Sequence, residues 1–277
     1  MDTPRSILIT GCSSGIGLDA ARTLSARGWR VFATCRREGD CDRLRAEGLE
    51  SFRLDYEDEG SIAAAVAEVA GRTGGRLDAL FNNGAYAIPG ALEDIPADGM
   101  RAILQANVVG WHDLTCRVIP MMRAQGAGRI VQCSSVLGRV GLKWRGAYVA
   151  SKFALEGLSD VLRLEMADAN IQVVLIEPGP IGSRFRVNAR AQFEAWVDWQ
   201  GSARAAQYRD RLLRRLYEDR GPDRFELPPA AVTKVLIRAL EARRPRARYA
   251  VTWPAHAAGP LRRLLPDRWL DWLLDKG

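Results

Sequence analysis

The sequence predicts an α/β protein of the Rossmann type, a doubly wound parallel sheet of about seven strands with helices on both faces. Three observations lead to this fold. Short apolar runs alternate with stretches of helical periodicity through the first two-thirds of the chain, a glycine-rich turn follows the first run, and Tyr148 and Lys152 lie four residues apart in a predicted helix. We therefore expect the 277 residues to form a single domain with a C-terminal extension that serves as a substrate lid.

The predicted elements follow one another in alternation. Strand-length apolar runs lie at residues 7–10, 30–34, 51–54, 77–81, 129–133 and 171–176. Helical stretches lie at 16–27, 61–71, 100–122 and 147–167, and a last helix and strand lie at 229–242 and 247–252. Right-handed crossovers between parallel strands place helices on both faces of such a sheet. Ligands bind beyond the carboxyl ends of the strands, so the residues that follow each strand are the candidates for function.

The chain divides into three predicted parts. Residues 5–182 carry the alternating pattern and form the cofactor-binding and catalytic core. The pattern breaks in 183–228, where helical pieces are expected at 190–200 and 203–219; this part is either a substrate lid or the packing of an extra subdomain. Residues 229–277 hold the last helix and strand and an amphipathic tail. The leucines, tryptophans and arginines of the tail could contact a membrane surface, its own domain or a neighbouring subunit.

The composition argues against several classes of protein. It is 47% apolar and 26% charged, with a net charge of +7 but no dense run of lysine or arginine, so we expect no nucleic-acid partner. Five cysteines without paired spacing and only two histidines predict reduced thiols in a cytoplasmic protein and no metal site. A strand begins near the start of the chain, and no apolar run approaches the ~18 residues of a transmembrane helix, so we expect neither a signal peptide nor a membrane span.

The turn from Thr10 to Gly17 is the first candidate ligand site. It reads Thr-Gly-Cys-Ser-Ser-Gly-Ile-Gly and lies between the first strand and the first helix. Glycine permits a tight turn and the close approach of a pyrophosphate, which then binds at the N-terminus of the helix. We therefore predict dinucleotide contacts from Gly11, Ser13, Ser14, Gly15, Ile16 and Gly17.

The residues after the next strands indicate which dinucleotide binds. NAD sites usually place a carboxylate after the second strand, but this chain has Cys35 and then Arg36. A guanidinium matches the oxygens of a 2′-phosphate, so we predict NADP(H), with NAD(H) as the less favoured cofactor. Asp55, after the third strand, could accept a hydrogen bond from the adenine amino group or act as a turn or cap residue. Asn83 and Gly84, after the fourth strand, could support the adenine ribose or form a plain turn.

Tyr148 and Lys152 form the candidate catalytic pair. Positions i and i+4 share one face of a helix, so the phenol and the ammonium can lie side by side. A tyrosine hydroxyl has a pKa near ~10, and an adjacent cation favours the phenolate and lowers that pKa. Ser135, thirteen residues upstream of Tyr148, could hold a substrate oxygen. Hydride transfer to a carbonyl creates an alkoxide that needs a proton donor, so the pair indicates proton transfer beside a nucleotide site.

Taken together, these motifs resemble the classical short-chain dehydrogenase/reductase family over most of the predicted core. The residues that carry the resemblance, in the family's order and spacing, are the glycine turn 10–17, Asn82-Asn83-Gly84-Ala85, Asn107, Ser135, Tyr148-x3-Lys152 and Pro178-Gly179. The stretch 148–157 is especially similar to the branch that holds 17β-hydroxysteroid and retinol dehydrogenases. Two positions depart from the family pattern: Gly84-Ala85 stands where many members have Ala-Gly, and Ser183 stands where threonine is usual. Both changes should leave the backbone and hydroxyl roles intact.

The resemblance implies a role for each of these positions. Tyr148 would be the general acid/base, Lys152 would lower its pKa and hydrogen-bond the nicotinamide ribose, and Ser135 would orient and polarise the substrate oxygen. Asn107 would help to hold a water that relays protons to Lys152. Further cofactor contacts are expected from Pro178, Gly179, Ile181 and Ser183, the last of these with the nicotinamide carboxamide. Substrate contacts are expected from Ser135, Tyr86, Leu137, Leu142 and Pro180.

The expected substrate is a lipophilic ketone, aldehyde or secondary alcohol of steroid or retinoid type, because the predicted substrate contacts are largely apolar. The chain would then be an NADP(H)-dependent oxidoreductase that forms a homodimer or homotetramer. Two alternatives stay open. One is a non-catalytic NADP(H)-binding regulatory protein, and the other is a 3-oxoacyl carrier-protein reductase, against which the long aromatic C-terminal region argues.

Overall fold

Seven parallel strands form one sheet in the computed structural model, which describes residues 4–218 and 221–275. The strands are β1 (Ser6–Ile9), β2 (Arg30–Cys35), β3 (Glu50–Arg53), β4 (Ala79–Asn82), β5 (Gly128–Cys133), β6 (Ile171–Pro178) and β7 (Arg248–Val251). Their order is β3-β2-β1-β4-β5-β6-β7, so the direction of winding reverses between β1 and β4. Ligand crevices open at such a reversal, beyond the carboxyl ends of the strands. The predicted doubly wound fold is confirmed.

The central strands form because they are apolar on both faces. Ile7, Leu8 and Ile9 of β1 are fully buried, and Leu8 lies in register between Phe32 of β2 and Leu80 of β4. Continuous apolar strands of this kind are typical of a parallel sheet that is covered on both faces. The side chains that can do chemistry therefore lie where the strands end.

The helices cover both faces of the sheet. They are α1 (Gly15–Ala26), α2 (Glu38–Ala46), α3 (Glu59–Thr73), α4 (Ala97–Leu104), α5 (Gly110–Gln125), α6 (Gly146–Glu165), α7 (Phe185–Trp196), α8 (Ala205–Gln207), α9 (Arg214–Tyr217), α10 (Pro229–Glu241), α11 (Trp253–Leu264) and α12 (Asp267–Asp275). Helix α1 packs against α10, and α3 packs against α5.

The sequence missed helix α2. Its nine residues are strongly polar, and only Cys41 and Leu44 are buried. Two apolar positions give too short a periodicity to identify a helix from the sequence alone. The helix nevertheless lies between β2 and β3, where the predicted alternation left a gap.

The predicted helix 100–122 is not continuous. Helix α4 ends at Leu104, a π-helical turn covers Gln105–Val109, and α5 begins at Gly110. The wider turn accommodates a close contact, because a Cβ on Gly110 would lie 2.4 Å from the carbonyl oxygen of Tyr56. Single π turns inside α-helices often mark functional positions, and this one contains Asn107.

The segment 183–228 packs as a second apolar cluster around Tyr148. The cluster joins Ala189, Phe193, Val197, Tyr208, Leu212 and Leu216 of the segment to Ala87, Ile88, Ala91, Ile103, Ala147 and Tyr148 of the core. Tyr208 is fully buried, and its hydroxyl donates to the Asp94 carboxylate at 2.7 Å and accepts from the Ala91 N–H at 2.8 Å. These bonds fix the segment to the rest of the domain.

The tail helices α11 and α12 pack on their own domain. Leu270 and Ala258 are buried in a small cluster with Val140. The opposite side of the tail stays open to solvent, where Trp253 is 68% and Trp269 66% exposed. No helix in the described ranges is long and apolar enough to cross a membrane.

Candidate active site

The glycine turn after β1 rests directly on the backbone that follows β4. Gly11 has a positive φ of 69°, and a Cβ on it would lie 2.6 Å from the Cα of Gly84. A Cβ on Gly17 would lie 2.4 Å from the carbonyl oxygen of Gly11. The first turn of α1 holds no acidic residue, and its N-cap, Ser14, makes no side-chain hydrogen bond to the helix. The N–H groups at this helix end can therefore bind a pyrophosphate, and the glycines leave the space that it needs.

Hydrogen bonds from Thr10 hold the ends of β1 and β4 together. The Thr10 hydroxyl accepts from the N–H groups of Asn83 at 2.9 Å and Gly84 at 3.2 Å. The Asn83 amide donates back to the Thr10 carbonyl at 2.9 Å. The buried Tyr56 hydroxyl extends the network by donating to Asn82 at 2.7 Å. Asn83 thus supports the floor of the nucleotide cleft through contacts with protein. The hydrogen bonds of the Thr10 and Tyr56 side chains were not predicted.

Tyr148 and Lys152 lie on the buried face of α6. They are 8% and 1% exposed, and the Lys152 ammonium is 5.6 Å from the centre of the Tyr148 ring. The ammonium donates to the Cys133 carbonyl at 2.8 Å, at the end of β5, and lies 4.4 Å from the centre of the Trp111 ring. Ser135 follows two residues after Cys133, and its hydroxyl accepts from the Leu137 N–H at 3.1 Å. The predicted pair is thereby held against the end of β5.

Burial governs the protonation of both groups. It raises the pKa of Tyr148 well above the ordinary value, and a hydrogen bond with Ser135 lowers that pKa in part. It lowers the pKa of Lys152 to about 8, although Cys133 and Glu156 act in the opposite direction. Removal of the phenol from water is the largest cause of the rise in the Tyr148 pKa, and the expectation that Lys152 lowers this pKa stays a prediction. The Lys152 ammonium donates its hydrogen bond to the Cys133 carbonyl.

Asn107 links the π turn to the catalytic helix. Its side-chain oxygen accepts from the Tyr86 N–H at 3.2 Å, and its amide donates to the Tyr86 carbonyl at 2.8 Å and to the Ser151 hydroxyl at 3.2 Å. Ser151 lies directly before Lys152 and donates to the Tyr148 carbonyl at 2.8 Å. Asn107 therefore reaches the catalytic pair through Ser151. The water relay to Lys152 stays a prediction.

A cavity of about 680 Å³ runs from the glycine turn to the segment 183–228. The predicted site residues that line it are Gly11, Ser13, Ser14, Gly15, Ile16, Asn83, Gly84, Ser135, Leu137, Leu142, Tyr148, Lys152, Pro178, Gly179, Pro180, Ile181 and Ser183. Cofactor-type and substrate-type positions thus share one continuous cleft. Phe185, Val187 and Leu216 add apolar walls from the C-terminal segment.

Five predicted site residues lie outside the cavity lining, and four of them have contacts elsewhere or an exposed position. A Cβ on Gly17 would point at the Gly11 carbonyl, inside the turn. The side chain of Asn107 is buried against Ser151, to which it donates a hydrogen bond. Asp55 lies 3.6 Å from an arginine of β3, Arg53, and accepts from the Glu57 N–H at 3.2 Å. Arg36 is exposed after β2 and makes no hydrogen bond or ion pair with any residue in 4–218 or 221–275.

Tyr86 is the fifth predicted residue outside the cavity lining, and its substrate contact stays a prediction. Its hydroxyl donates to Glu57 at 3.1 Å, and Arg36 and Asp55 act electrostatically on it, so the ring lies beside the residues that follow β2 and β3. Ala85 and Ala87 on either side of it line the cavity, and Tyr86 packs against the apolar cluster that contains Tyr148.

Two further contacts, one with the glycine turn and one with Lys152, were not predicted from the sequence. Arg43 of the unpredicted helix α2 donates to the Ser13 carbonyl in the glycine turn at 2.6 Å. Trp111 places its ring beside Lys152 and donates to the Gly84 carbonyl at 2.9 Å. Neither belongs to a recognisable motif, and their positions depend on how the helices pack.

Three features of the cleft fit a nicotinamide dinucleotide beside a proton donor. They are the space left by the glycine turn 10–17, which we call the glycine cradle, the uncapped end of α1, and the buried pair Tyr148 and Lys152 on α6. The model of the short chain dehydrogenase family matches residues 5–194. This chain belongs to the short chain dehydrogenase family. The family binds nicotinamide cofactors, and its members are oxidoreductases.

Named relatives place this short chain dehydrogenase in the expected branch. It is 39% identical to the oxidoreductase YbbO of Escherichia coli strain K12, over 98% of this chain and 94% of that protein. It is 33% identical to human 17-beta-hydroxysteroid dehydrogenase type 1, over 89% of this chain and 77% of the relative. Mouse retinol dehydrogenase 16 is also 33% identical, over 90% and 81%.

Solved structures show the same architecture. A short-chain dehydrogenase from Streptomyces avermitilis has a TM-score of 0.78 and 28% identity, over 99% of this chain and 96% of its own. A short chain dehydrogenase/reductase from Burkholderia phymatum in complex with NAD has a TM-score of 0.77 and 25% identity, over 98% and 95%. An actinorhodin polyketide ketoreductase variant with NADPH has a TM-score of 0.71 and 28% identity, over 91% and 97%.

The close approach at Gly17 gives a direct test of the glycine cradle. In Gly17→Ala the new Cβ would push against the Gly11 carbonyl and the Asn83 amide, so the turn must shift away from the cofactor path. We expect the Kd for NADPH to rise at least about tenfold, or about 1.4 kcal/mol, in a fluorescence titration. Gly71→Ala in α3 is the matched control, because nothing lies within 4 Å of the added Cβ. Equal affinities in the two variants would contradict the cradle.

Proposed function

We propose that this protein transfers hydride between NADP(H) and a lipophilic ketone, aldehyde or secondary alcohol, with Tyr148 as the general acid/base. The observation that carries the proposal is the burial of Tyr148 and Lys152 on one helix face at the wall of the cleft that begins at the glycine turn. A phenol in this position can pass a proton to an oxygen held by Ser135. Apolar walls exclude water from the same place.

The nicotinamide, when bound, supplies or accepts the hydride at the substrate carbon. Ser135 donates a hydrogen bond to the substrate oxygen and so stabilises the charge that develops on it. Tyr148 delivers its proton to that oxygen during reduction and takes the proton back during oxidation. At neutral pH the Tyr148 phenol is protonated and can donate its proton to the oxygen during reduction. The Lys152 ammonium stabilises the phenolate that forms, and Asn107 holds the helix through Ser151.

Arg36 supports a preference for NADP(H). The position after β2 that NAD sites give to an acid holds the buried thiol of Cys35, and the nearest carboxylate in sequence, Glu38, is paired with Arg45 at 2.6 Å. The exposed guanidinium of Arg36 is therefore available for a 2′-phosphate. Asp55 and Asn83 are proposed to serve the adenine and its ribose.

The apolar walls support a lipophilic substrate, and the segment 183–228 is proposed as the lid. The Phe185 ring meets the Tyr148 ring edge-on, with 5.4 Å between their centres, so the segment covers the reacting position. Leu137, Leu142 and Pro180 add apolar side chains to the same cavity. Relatives named as hydroxysteroid and retinol dehydrogenases support a steroid-like or retinoid-like molecule.

The outer face of α6 supports assembly into a homodimer or homotetramer. Leu158, Val161 and Leu164 are 46%, 54% and 69% exposed on this face. Three neighbouring apolar side chains on one long helix would be buried by a second copy. The expected cytoplasmic location stays a prediction.

Tyr148→Phe tests the proposed chemistry, because it removes the proton donor and almost no volume. We expect the reduction of a panel of lipophilic ketones with NADPH to fall about 10²- to 10⁴-fold, the range for general acid catalysis. Tyr217→Phe is the matched control on the exposed surface, where that hydroxyl donates to Glu194. Undiminished turnover in the Tyr148 variant would end the assignment. Tight NADPH binding by a wild type that reduces no ketone or aldehyde would favour the regulatory alternative.

Arg36→Ala tests the cofactor preference. We expect kcat/KM for NADPH to fall at least about tenfold, consistent with the loss of a charge-assisted hydrogen bond, and the value for NADH to stay constant. Arg76→Ala is the control, since Arg76 is also exposed but lies before β4, at the amino end of the strands. An unchanged ratio of the two cofactors would remove Arg36 from the account.

A further inference from the structure

Three guanidinium groups line the cavity on the side of the proposed lid. Arg145 lies directly before α6, Arg186 lies on α7 and Arg215 on α9. Arg186 and Arg215 both bind the same carboxylate oxygen of Asp223, each at 3.2 Å. Glu226 also lines the cavity, and its carboxylate accepts from the Asp223 N–H at 3.2 Å. Among the residues in 4–218 and 221–275, the cluster therefore holds three cations and two anions.

Arg145 is the cation that these carboxylates leave without a partner. Its guanidinium donates to the carbonyl of its neighbour Trp144 at 3.2 Å, and no carboxylate in 4–218 or 221–275 lies within ion-pair distance of it. Its pKa is lowered to about 10, chiefly by burial; Arg215 and Arg186 act in the same direction and Asp223 in the opposite one. It also stands at the N-terminal end of α6, where the helix dipole disfavours a cation. Burial, the neighbouring arginines and the helix dipole all disfavour the charged guanidinium of Arg145, and a bound anion would offset them.

The position of Arg145 relates such an anion to the reaction. Arg145 is the N-cap of α6 and precedes Tyr148 by three residues, and both residues line the same cavity. The nearby walls are apolar and include Leu142, Pro89 and Phe185. A ligand that touches both groups has a carbonyl at one point, an anion at another and apolar atoms around them.

We propose that Arg145 determines specificity by binding a carboxylate of the substrate, so that the substrate is a lipophilic oxo acid or hydroxy acid. The proposal rests on the proposed oxidoreductase function and adds an acidic group to its lipophilic substrate. A carboxylate fits the charges of the cluster as far as the structure describes them, because one negative charge balances the single positive charge in excess among those residues. The guanidinium can bind both oxygens at once, and its partial withdrawal from water strengthens the pair.

A matched pair of substrates tests the proposal. We would compare 9-oxodecanoic acid with its methyl ester, using NADPH and the wild type, Arg145→Met, Arg145→Lys and Arg190→Met. We expect the wild type to favour the acid, and Arg145→Met to lose at least about tenfold of this preference, through KM for the acid and with the ester unchanged. Arg145→Lys keeps the positive charge but loses the two-pronged guanidinium that binds both carboxylate oxygens, so its preference for the acid should be intermediate. Arg190 lies on α7 and pairs with Glu194 outside the cavity lining, so its variant should behave as wild type.

A binding measurement separates this proposal from the proposed reaction. Calorimetry with octanoate and octanamide, in the presence of NADPH, requires no turnover. We expect wild type to bind octanoate more tightly than octanamide and Arg145→Met to lose that difference alone. Equal octanoate affinity in wild type and Arg145→Met would overturn the carboxylate site, whatever the ketones do. If octanoate selectivity depends on Arg145 but neither oxo compound is reduced, the carboxylate site stands and the proposed reaction fails.

Discussion

The arrangement depends on one constraint, the burial of the Lys152 ammonium against uncharged partners. Its direct contacts are the Cys133 carbonyl and the face of the Trp111 ring, and Glu156, one turn along α6, is paired with Arg248 at 3.0 Å. Placing an ammonium there opposes folding by several kcal/mol, on the order expected for a buried ion. The same burial lowers the pKa of Lys152 and raises that of Tyr148. The burial of Lys152 therefore both sets the pKa values in the site and lowers the stability of the fold.

The parallel sheet partly offsets the cost of burying the Lys152 ammonium, because it brings fixed backbone groups to one edge. The end of β5 supplies the carbonyl for Lys152, and the ends of β1 and β4 are joined through Thr10 and become the floor of the nucleotide cleft. The π turn lets Asn107 bind Tyr86 and Ser151 at once. Rigid strand ends thus hold polar groups whose positions a flexible loop could not maintain.

Features set by local sequence were predictable, and features set by distant contacts were not. Strand β1, the glycine turn and the spacing of Tyr148 and Lys152 are local, and each was found where expected. The π turn depends on Tyr56, which is far away in the sequence, and the direction of the Tyr148 pKa depends on burial that the sequence does not display. The role of Arg145 was not predicted, because Arg186 and Arg215 take Asp223 and leave Arg145 without an ion pair in the described ranges.

The most direct test of the central claim is the pH dependence of ketone reduction at saturating NADPH, from about pH 6 to 10. Burial lowers the pKa of Lys152 to about 8, so its charge is present below that pH and lost above it, while Tyr148 stays protonated. We expect kcat/KM for a neutral ketone to fall above about pH 8, and the fall to move beyond pH 10 in Lys152→Arg, because arginine keeps its charge. A flat profile, or an unchanged fall in Lys152→Arg, would contradict the account.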